Sequence, residues 1–114
     1  FDLKVDHIVD LTCEYSERPG QRCHPGYLSL PIVDGAAPPP QVLLQYVERL
    51  SRLKGRIYLH CAEGHGRTAT VAAALLLVRG IAKDVDDALA RIAVVRPKAR
   101  PYARQLRALR ALPD

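Results

Sequence analysis

Cysteine is scarce in this sequence, and long apolar runs are absent from it. Its 114 residues include three cysteines, and no two of them stand in CxxC spacing. An odd number without that spacing is typical of a reducing compartment, and the histidines near Cys13 and Cys23 complete no familiar zinc-ligand pattern. No run is long enough for a membrane-spanning helix, and the first residues lack the charged and apolar regions of a secretory signal. We therefore expect a cytoplasmic protein without a bound metal.

Acidic residues are outnumbered by basic ones, and the excess lies near the end of the chain. The formal net charge is +5, and from Arg91 onward seven basic residues stand against Asp114 alone. Such a segment can attract anionic substrates, a membrane surface or nucleic acid, or it can be the solvated face of a helix. We favour the solvated face, predict no nucleic-acid partner and leave a membrane surface open.

Length and composition predict one globular domain over residues 1–114. Hydrophobic residues make up 48% of the chain and charged residues 25%, which are ordinary values for a soluble domain. A chain of this length can bury a single core.

One stretch in the middle of the chain combines a strand, a glycine-containing loop and an apolar helix. Residues 57–59 are β-branched, aromatic and apolar, which predicts a buried central strand. The loop over residues 61–67 contains Gly64 and Gly66, and residues 68–78 then form an apolar run without a polar stripe. That run predicts a helix buried on nearly all sides. A strand, a glycine-rich turn and a helix N-terminus together favour an anion-binding loop.

The side chains of this loop predict chemistry on a bound phosphate. The pattern predicts that Cys61 lies at a helix N-terminus and near a cation, and both lower the pKa of a thiol. Arg67 offers a planar fork for two phosphate oxygens. The Thr68 hydroxyl can donate to the sulfur when it leaves, and His60 is expected to support the loop backbone. The predicted phosphate cradle comprises Ala62, Glu63, Gly64, His65, Gly66 and Arg67.

These residues resemble a known signature. His60-Cys61-x5-Arg67-Thr68 is similar to the His-Cys-x5-Arg-Ser/Thr motif of cysteine-dependent protein tyrosine and dual-specificity phosphatases, and HCAEGHGRTA resembles the small atypical dual-specificity members. The resemblance covers nearly all of the chain. It implies a cysteinyl-phosphate intermediate, no cofactor, an anion such as phosphate or sulfate in the loop, and one or two further strands before Phe1.

The same resemblance implies a general acid and a residue that positions water. Cleavage of a phosphate ester needs a proton for the leaving oxygen, and Asp34 stands in a loop 27 positions before Cys61. The alternative is that Asp34-Gly35 is an ordinary turn pair. Gln105 is the candidate for positioning the hydrolytic water, and Cys13 is a candidate for a protective disulfide with Cys61.

The remaining pattern predicts an α/β fold with a short, mainly parallel central sheet flanked by helices. Residues 5–12 and 27–32 are predicted strands, and residues 40–54 form a predicted amphipathic helix. Asp84 predicts a helix start, and Arg96-Pro97 predicts its end. The last helix is expected to hold Pro101 in its first turn, with four side chains facing the core: Tyr102, Leu106, Leu109 and Leu112.

Several functions remain compatible with the sequence. The leading prediction is dephosphorylation of phosphotyrosine and phosphoserine or phosphothreonine in proteins. The alternative substrates are phosphoinositides or other phospholipid or inositol phosphate headgroups. Glu63 opposes them by charge, while His65 and the C-terminal arginines favour them. A non-catalytic phosphate-binding module is another alternative. A nucleotide-binding GxxxxGK[ST] loop would need Gly in place of Cys61 and Lys in place of Arg67, and a purely structural Cys61 is the last alternative.

Overall fold

The structure is a computed structural model that describes residues 6–12, 27–32, 38–55, 57–60, 66–97 and 99–112. This part of the chain contains three strands and four helices, which confirms the predicted α/β class. The strands are β1 (His7–Thr12), β2 (Tyr27–Ile32) and β3 (Ile57–His60). The helices are α1 (Pro40–Ser51), α2 (Gly66–Val78), α3 (Val85–Val95) and α4 (Ala103–Arg110).

The described strands form one parallel sheet in the order β2-β1-β3. Thr12 pairs with Ile32 and Asp10 with His60, so the carboxyl ends of the strands share one edge. The sequence predicted a central, buried β3, whereas among the described strands β3 lies at the edge of the sheet. Because β3 has only β1 beside it among the described strands, its residues Ile57 to Leu59 are half-buried.

Helix α1 turns an apolar stripe toward the core, as predicted, but ends at Ser51 rather than at residue 54. Leu43, Val47 and Leu50 are buried along it, and Pro40 occupies the first turn, where its missing N–H costs nothing. After the helix ends, the Arg79 side chain donates to the carbonyls of Leu50 and Leu53 at 3.4 and 3.3 Å. An arginine from the end of α2 therefore satisfies carbonyl groups that α1 leaves exposed.

Helix α2 is the centre of the helical layer and packs against α1, α3 and α4. Its first nine residues are mostly buried, whereas residues 75–77 are half-buried and Val78 is exposed, so the predicted all-round burial holds for the first half only. Gly80 ends the helix with a φ of 73°, and the Ile81 N–H reaches the Leu76 carbonyl at 3.0 Å. This is the glycine C-cap that the sequence predicted.

Helices α3 and α4 carry the chain back to the carboxyl edge of the sheet and away again. The Asp84 side chain caps α3 by accepting from the Asp87 N–H at 2.7 Å, and the helix ends before Arg96-Pro97, as predicted. Pro101 lies before α4 rather than in its first turn, because Tyr102 is the N-cap residue. Leu109 is buried from α4, whereas Leu106 and Leu112 are half-buried.

Candidate active site

The candidate site lies where β3 ends at His60 and α2 begins at Gly66, at the carboxyl edge of the sheet. Open α/β sheets place ligands at this edge. The described part of the site comprises Gly66, Arg67, Thr68 and Gln105, together with the backbone of His60. The other predicted site residues lie outside the described residues: Asp34, Cys61, Ala62, Glu63, Gly64 and His65.

Arg67 is a buried arginine that joins the loop to the end of a strand. Its side chain is 2% exposed, and its Nη1 donates to the Ile32 carbonyl at 2.9 Å. A buried guanidinium is costly unless its N–H groups are used. Because Ile32 is the last residue of β2, the bond fixes the first turn of α2 against the carboxyl end of that strand.

The first turn of α2 is suited to an anion. It contains no acidic residue that would neutralise the positive end of the helix dipole. The Thr70 hydroxyl donates back to the Gly66 carbonyl at 2.7 Å and so braces this turn. Thr68 is half-buried in the same turn, one residue after Arg67.

Gln105 contacts the loop from the start of α4. Its side chain is fully buried, and its Oε1 accepts from the Tyr102 N–H at 2.8 Å, which is one half of a capping box. A Cβ placed on Gly66 would lie 2.7 Å from that Oε1, closer than such contacts allow. A side chain at position 66 would therefore have to displace the Gln105 carboxamide, and the capping bond leaves the Nε2 donors of Gln105 for its other contacts.

A comparison with protein families decides what this arrangement belongs to. The model of the PTP-SAK family, described as Swiss Army Knife protein, DSP-PTPase phosphatase domain, matches residues 1–114. The chain belongs to this phosphatase family. The predicted membership of the dual-specificity and tyrosine phosphatase superfamily is thereby confirmed.

Individual relatives of this phosphatase domain agree with the family. The chain is 28% identical over 75 residues to tyrosine-protein phosphatase cdc-14 of Caenorhabditis elegans, a match that covers 65% of the chain and 11% of that relative. The chain therefore spans only about a tenth of the length of this curated relative.

Solved structures support the fold. The crystal structures of Tk-PTP in the active form and of a glycine-to-alanine mutant form of Tk-PTP each match with a TM-score of 0.75 at 30% identity. The matches cover 95% of this chain and 78% and 76% of the two Tk-PTP chains. The predicted phosphatase-like fold is confirmed by this likeness.

The structure corrects one prediction beside the site. Tyr102 was expected to face the core, but its side chain is 47% exposed. As the N-cap of α4 it stands outside the helical stripe, and its ring edge lies near Gly66 instead: Cε2 would be 3.5 Å from a Cβ there. The contact between Gly66 and Gln105 was not foreseen. A glutamine three residues after a helix N-cap is the sequence signal that could have indicated the capping bond.

Within the part of the chain that the structure describes, no three His, Cys, Asp or Glu side chains gather closely enough to hold a metal ion. In the same part, no helix is both long and apolar enough to cross a membrane.

The close approach at Gly66 can be tested by Gly66→Ala. Helix propensity alone would make this substitution stabilising by about 1 kcal/mol. We expect destabilisation by about 2 kcal/mol instead, since the new methyl group would displace a carboxamide that is buried and already bonded to Tyr102. Urea unfolding measures the change.

A double-mutant cycle checks the cause. Gln105→Ala removes the group that the new methyl at position 66 would meet, so the two substitutions together should cost less than the sum of their separate effects by at least about 1 kcal/mol. Additive effects, or a more stable Gly66→Ala protein, would contradict the contact.

Proposed function

We propose that residues 1–114 form a single catalytic domain that hydrolyses phosphomonoesters through a cysteinyl-phosphate intermediate. The substrates proposed are phosphotyrosine and phosphoserine or phosphothreonine in proteins, and the location is cytoplasmic. The observation that carries the proposal is the buried Arg67, held at the N-terminus of α2 by the Ile32 carbonyl in a chain of the phosphatase family. Arginine in this place binds two phosphate oxygens and stabilises the charge of the transition state.

The mechanism has two displacements at phosphorus. In the first, the Cys61 thiolate attacks, an S–P bond forms and the P–O bond to the leaving group breaks, while Asp34 gives that oxygen its proton. In the second, Asp34 takes a proton from water, the water oxygen attacks phosphorus, and the S–P bond breaks to release phosphate. Backbone N–H groups of residues 62–67 and the Arg67 guanidinium bind the equatorial oxygens throughout, and Thr68 donates to the departing sulfur.

Chain connectivity supports the role of Asp34. The Ile32 carbonyl is bonded to Arg67, and Asp34 follows Ile32 by two residues. Two residues of extended chain span at most about 7 Å, and this short link favours Asp34 as the acid for a substrate bound by Arg67.

Hydrolysis of p-nitrophenyl phosphate across pH tests the proposal. We expect the protein to release p-nitrophenol with a bell-shaped pH profile and to carry phosphate covalently after acid quenching. Asp34→Asn should lower kcat by about a hundredfold and lose the limb of the profile at high pH, since the acid form is no longer needed there. The proposal would be overturned if the protein is folded and its cysteines are reduced, but it hydrolyses no p-nitrophenyl phosphate.

Asp86→Asn is the matched control. Asp86 lies at the start of α3 and pairs with Arg110 on the surface, so the control removes one carboxylate away from the site. Its pH profile should match that of the unmodified protein. Equal profiles for the two variants would remove Asp34 from the mechanism.

Phosphoinositides are a second candidate substrate class. Exposed arginines at the end of α3 and in α4 favour a headgroup with several phosphates, whereas Glu63 in the loop opposes it. Hydrolysis of soluble inositol phosphates faster than of phosphopeptides, compared as kcat/KM, would favour this class.

A further inference from the structure

The directions of the helices separate charges along the molecule. Helix α2 begins at the candidate site, and α3 starts beyond the turn that follows the end of α2. Helix α4 begins beside Gly66, and its last residue, Arg110, reaches Asp86 at the start of α3 at 2.9 Å. The end of α3 and the start of α4 therefore lie at the site end, and the start of α3 lies at the far end.

The acidic residues of these helices lie at the far end and form ion pairs there. Asp86 pairs with Arg110, and Asp87 pairs with Arg91 at 3.3 Å. The Lys83 backbone N–H lowers the pKa of Asp87, and the nearby Arg91 charge lowers it further, so this carboxyl group stays ionised. Residues 88–112 contain no Asp or Glu at all.

At the site end, the described residues carry positive charge without a paired carboxylate among them. Arg96, Arg100 and Arg104 are exposed, and no carboxylate within the described ranges forms an ion pair with them. Field lines from such residues concentrate at a nearby cleft and raise the local concentration of anions.

Two of the residues in this region border the catalytic loop directly. The Arg100 carbonyl and the Tyr102 ring would each lie 3.5 Å from a Cβ on Gly66, and Tyr102 is 47% exposed. Val94 and Val95, at the end of α3, are 84% and 77% exposed. We call these exposed residues the rim: Val94, Val95, Arg96, Arg100, Tyr102 and Arg104.

We propose that the rim binds acidic side chains beside the phosphorylated residue of a protein substrate, which makes Arg100, Arg104 and Tyr102 specificity-determining residues. The proposal rests on the proposed phosphatase function and names the substrate sequences that it favours. An arginine guanidinium binds a carboxylate through a pair of hydrogen bonds. The ring of Tyr102 offers an apolar surface to the part of the peptide that lies between the two arginines. Two valines supply little area for insertion into a bilayer, so a peptide fits the rim better than a membrane does.

A pair of double variants tests the rim. Arg100→Gln with Arg104→Gln removes two charges from it, while Arg49→Gln with Arg52→Gln removes two exposed charges at the end of α1. That end lies away from the site, because α1 leads into the start of β3. The substrates are two phosphotyrosine peptides that differ only in having Glu or Gln at the flanking positions.

We expect the unmodified protein to prefer the Glu peptide in kcat/KM, and the preference to shrink at high salt. It should fall about tenfold in the rim variant and persist in the α1 variant. Equal cleavage of the two peptides, or equal losses in both variants, would overturn the proposal. If the rim variant loses activity on phosphoinositide vesicles but not on the peptides, the proposal is overturned as well, and the rim binds a membrane surface instead.

Binding separates this proposal from the proposed catalysis. Fluorescence anisotropy of the two labelled peptides with Cys61→Ser protein requires no turnover. Tighter binding of the Glu peptide that depends on the rim arginines would support the rim even if p-nitrophenyl phosphate is not hydrolysed. Equal affinities for the two peptides would overturn the proposed role of the rim even if p-nitrophenyl phosphate is hydrolysed.

Discussion

Arg67→Lys should lower kcat/KM for p-nitrophenyl phosphate by about a thousandfold and the free energy of unfolding by about 2 kcal/mol. The guanidinium is buried at the start of α2, with one nitrogen on the Ile32 carbonyl. Lysine keeps the charge but cannot donate to that carbonyl and grip two phosphate oxygens in one plane. The buried ammonium would also lack the guanidinium's spread of donors, so stability falls together with activity.

Arg79→Lys is the control for this substitution. Arg79 follows the same helix and also donates to backbone carbonyls, but it is exposed and lies at the opposite end. Its replacement should cost less than about 1 kcal/mol and leave kcat/KM within about twofold, as expected for an exposed contact. Steady-state kinetics and urea unfolding of both variants provide the comparison. If Arg67→Lys behaves like Arg79→Lys, the arginine has neither of the roles assigned to it.

Local patterns in the sequence predicted the elements of this fold well. The strand, the loop and the helix around Cys61 are adjacent in the chain, so composition and glycine placement were enough to predict β3 and α2. The cap at Asp84 and the stop at Gly80 were predictable for the same reason, since each depends on a few neighbouring residues.

Contacts between distant segments were not predictable in this way. Ile32 and Arg67 are 35 residues apart, and nothing near either one indicates that a carbonyl of β2 accepts from the loop arginine. The position of β3 beside β1 depends on strand pairing, and periodicity carries no information about pairing. Tyr102 fits the apolar spacing of α4, yet it caps the helix and borders Gly66, because the helix starts at Ala103 and leaves Pro101 outside its first turn.

Cys61→Ser should abolish phosphate release, with a loss of at least about ten-thousandfold in kcat. A serine hydroxyl has a pKa far above that of a thiol, so no anionic nucleophile forms at neutral pH. The binding groups around the phosphate are left in place. The variant should therefore still bind inorganic phosphate, with a rise in Tm on its addition that matches the rise in the unmodified protein.

This substitution also separates an enzyme from a phosphate-binding module. A binding module would bind phosphate with or without the substitution and would hydrolyse no substrate in either case. The proposed enzyme keeps phosphate binding and loses only turnover. Loss of both turnover and the phosphate-dependent Tm rise would mean that Cys61→Ser disturbs the loop itself. Arg67→Lys completes the comparison, because it should reduce phosphate binding as well as turnover. Retained turnover in Cys61→Ser would exclude the cysteinyl-phosphate route, since no other residue in the proposed mechanism forms a bond to phosphorus.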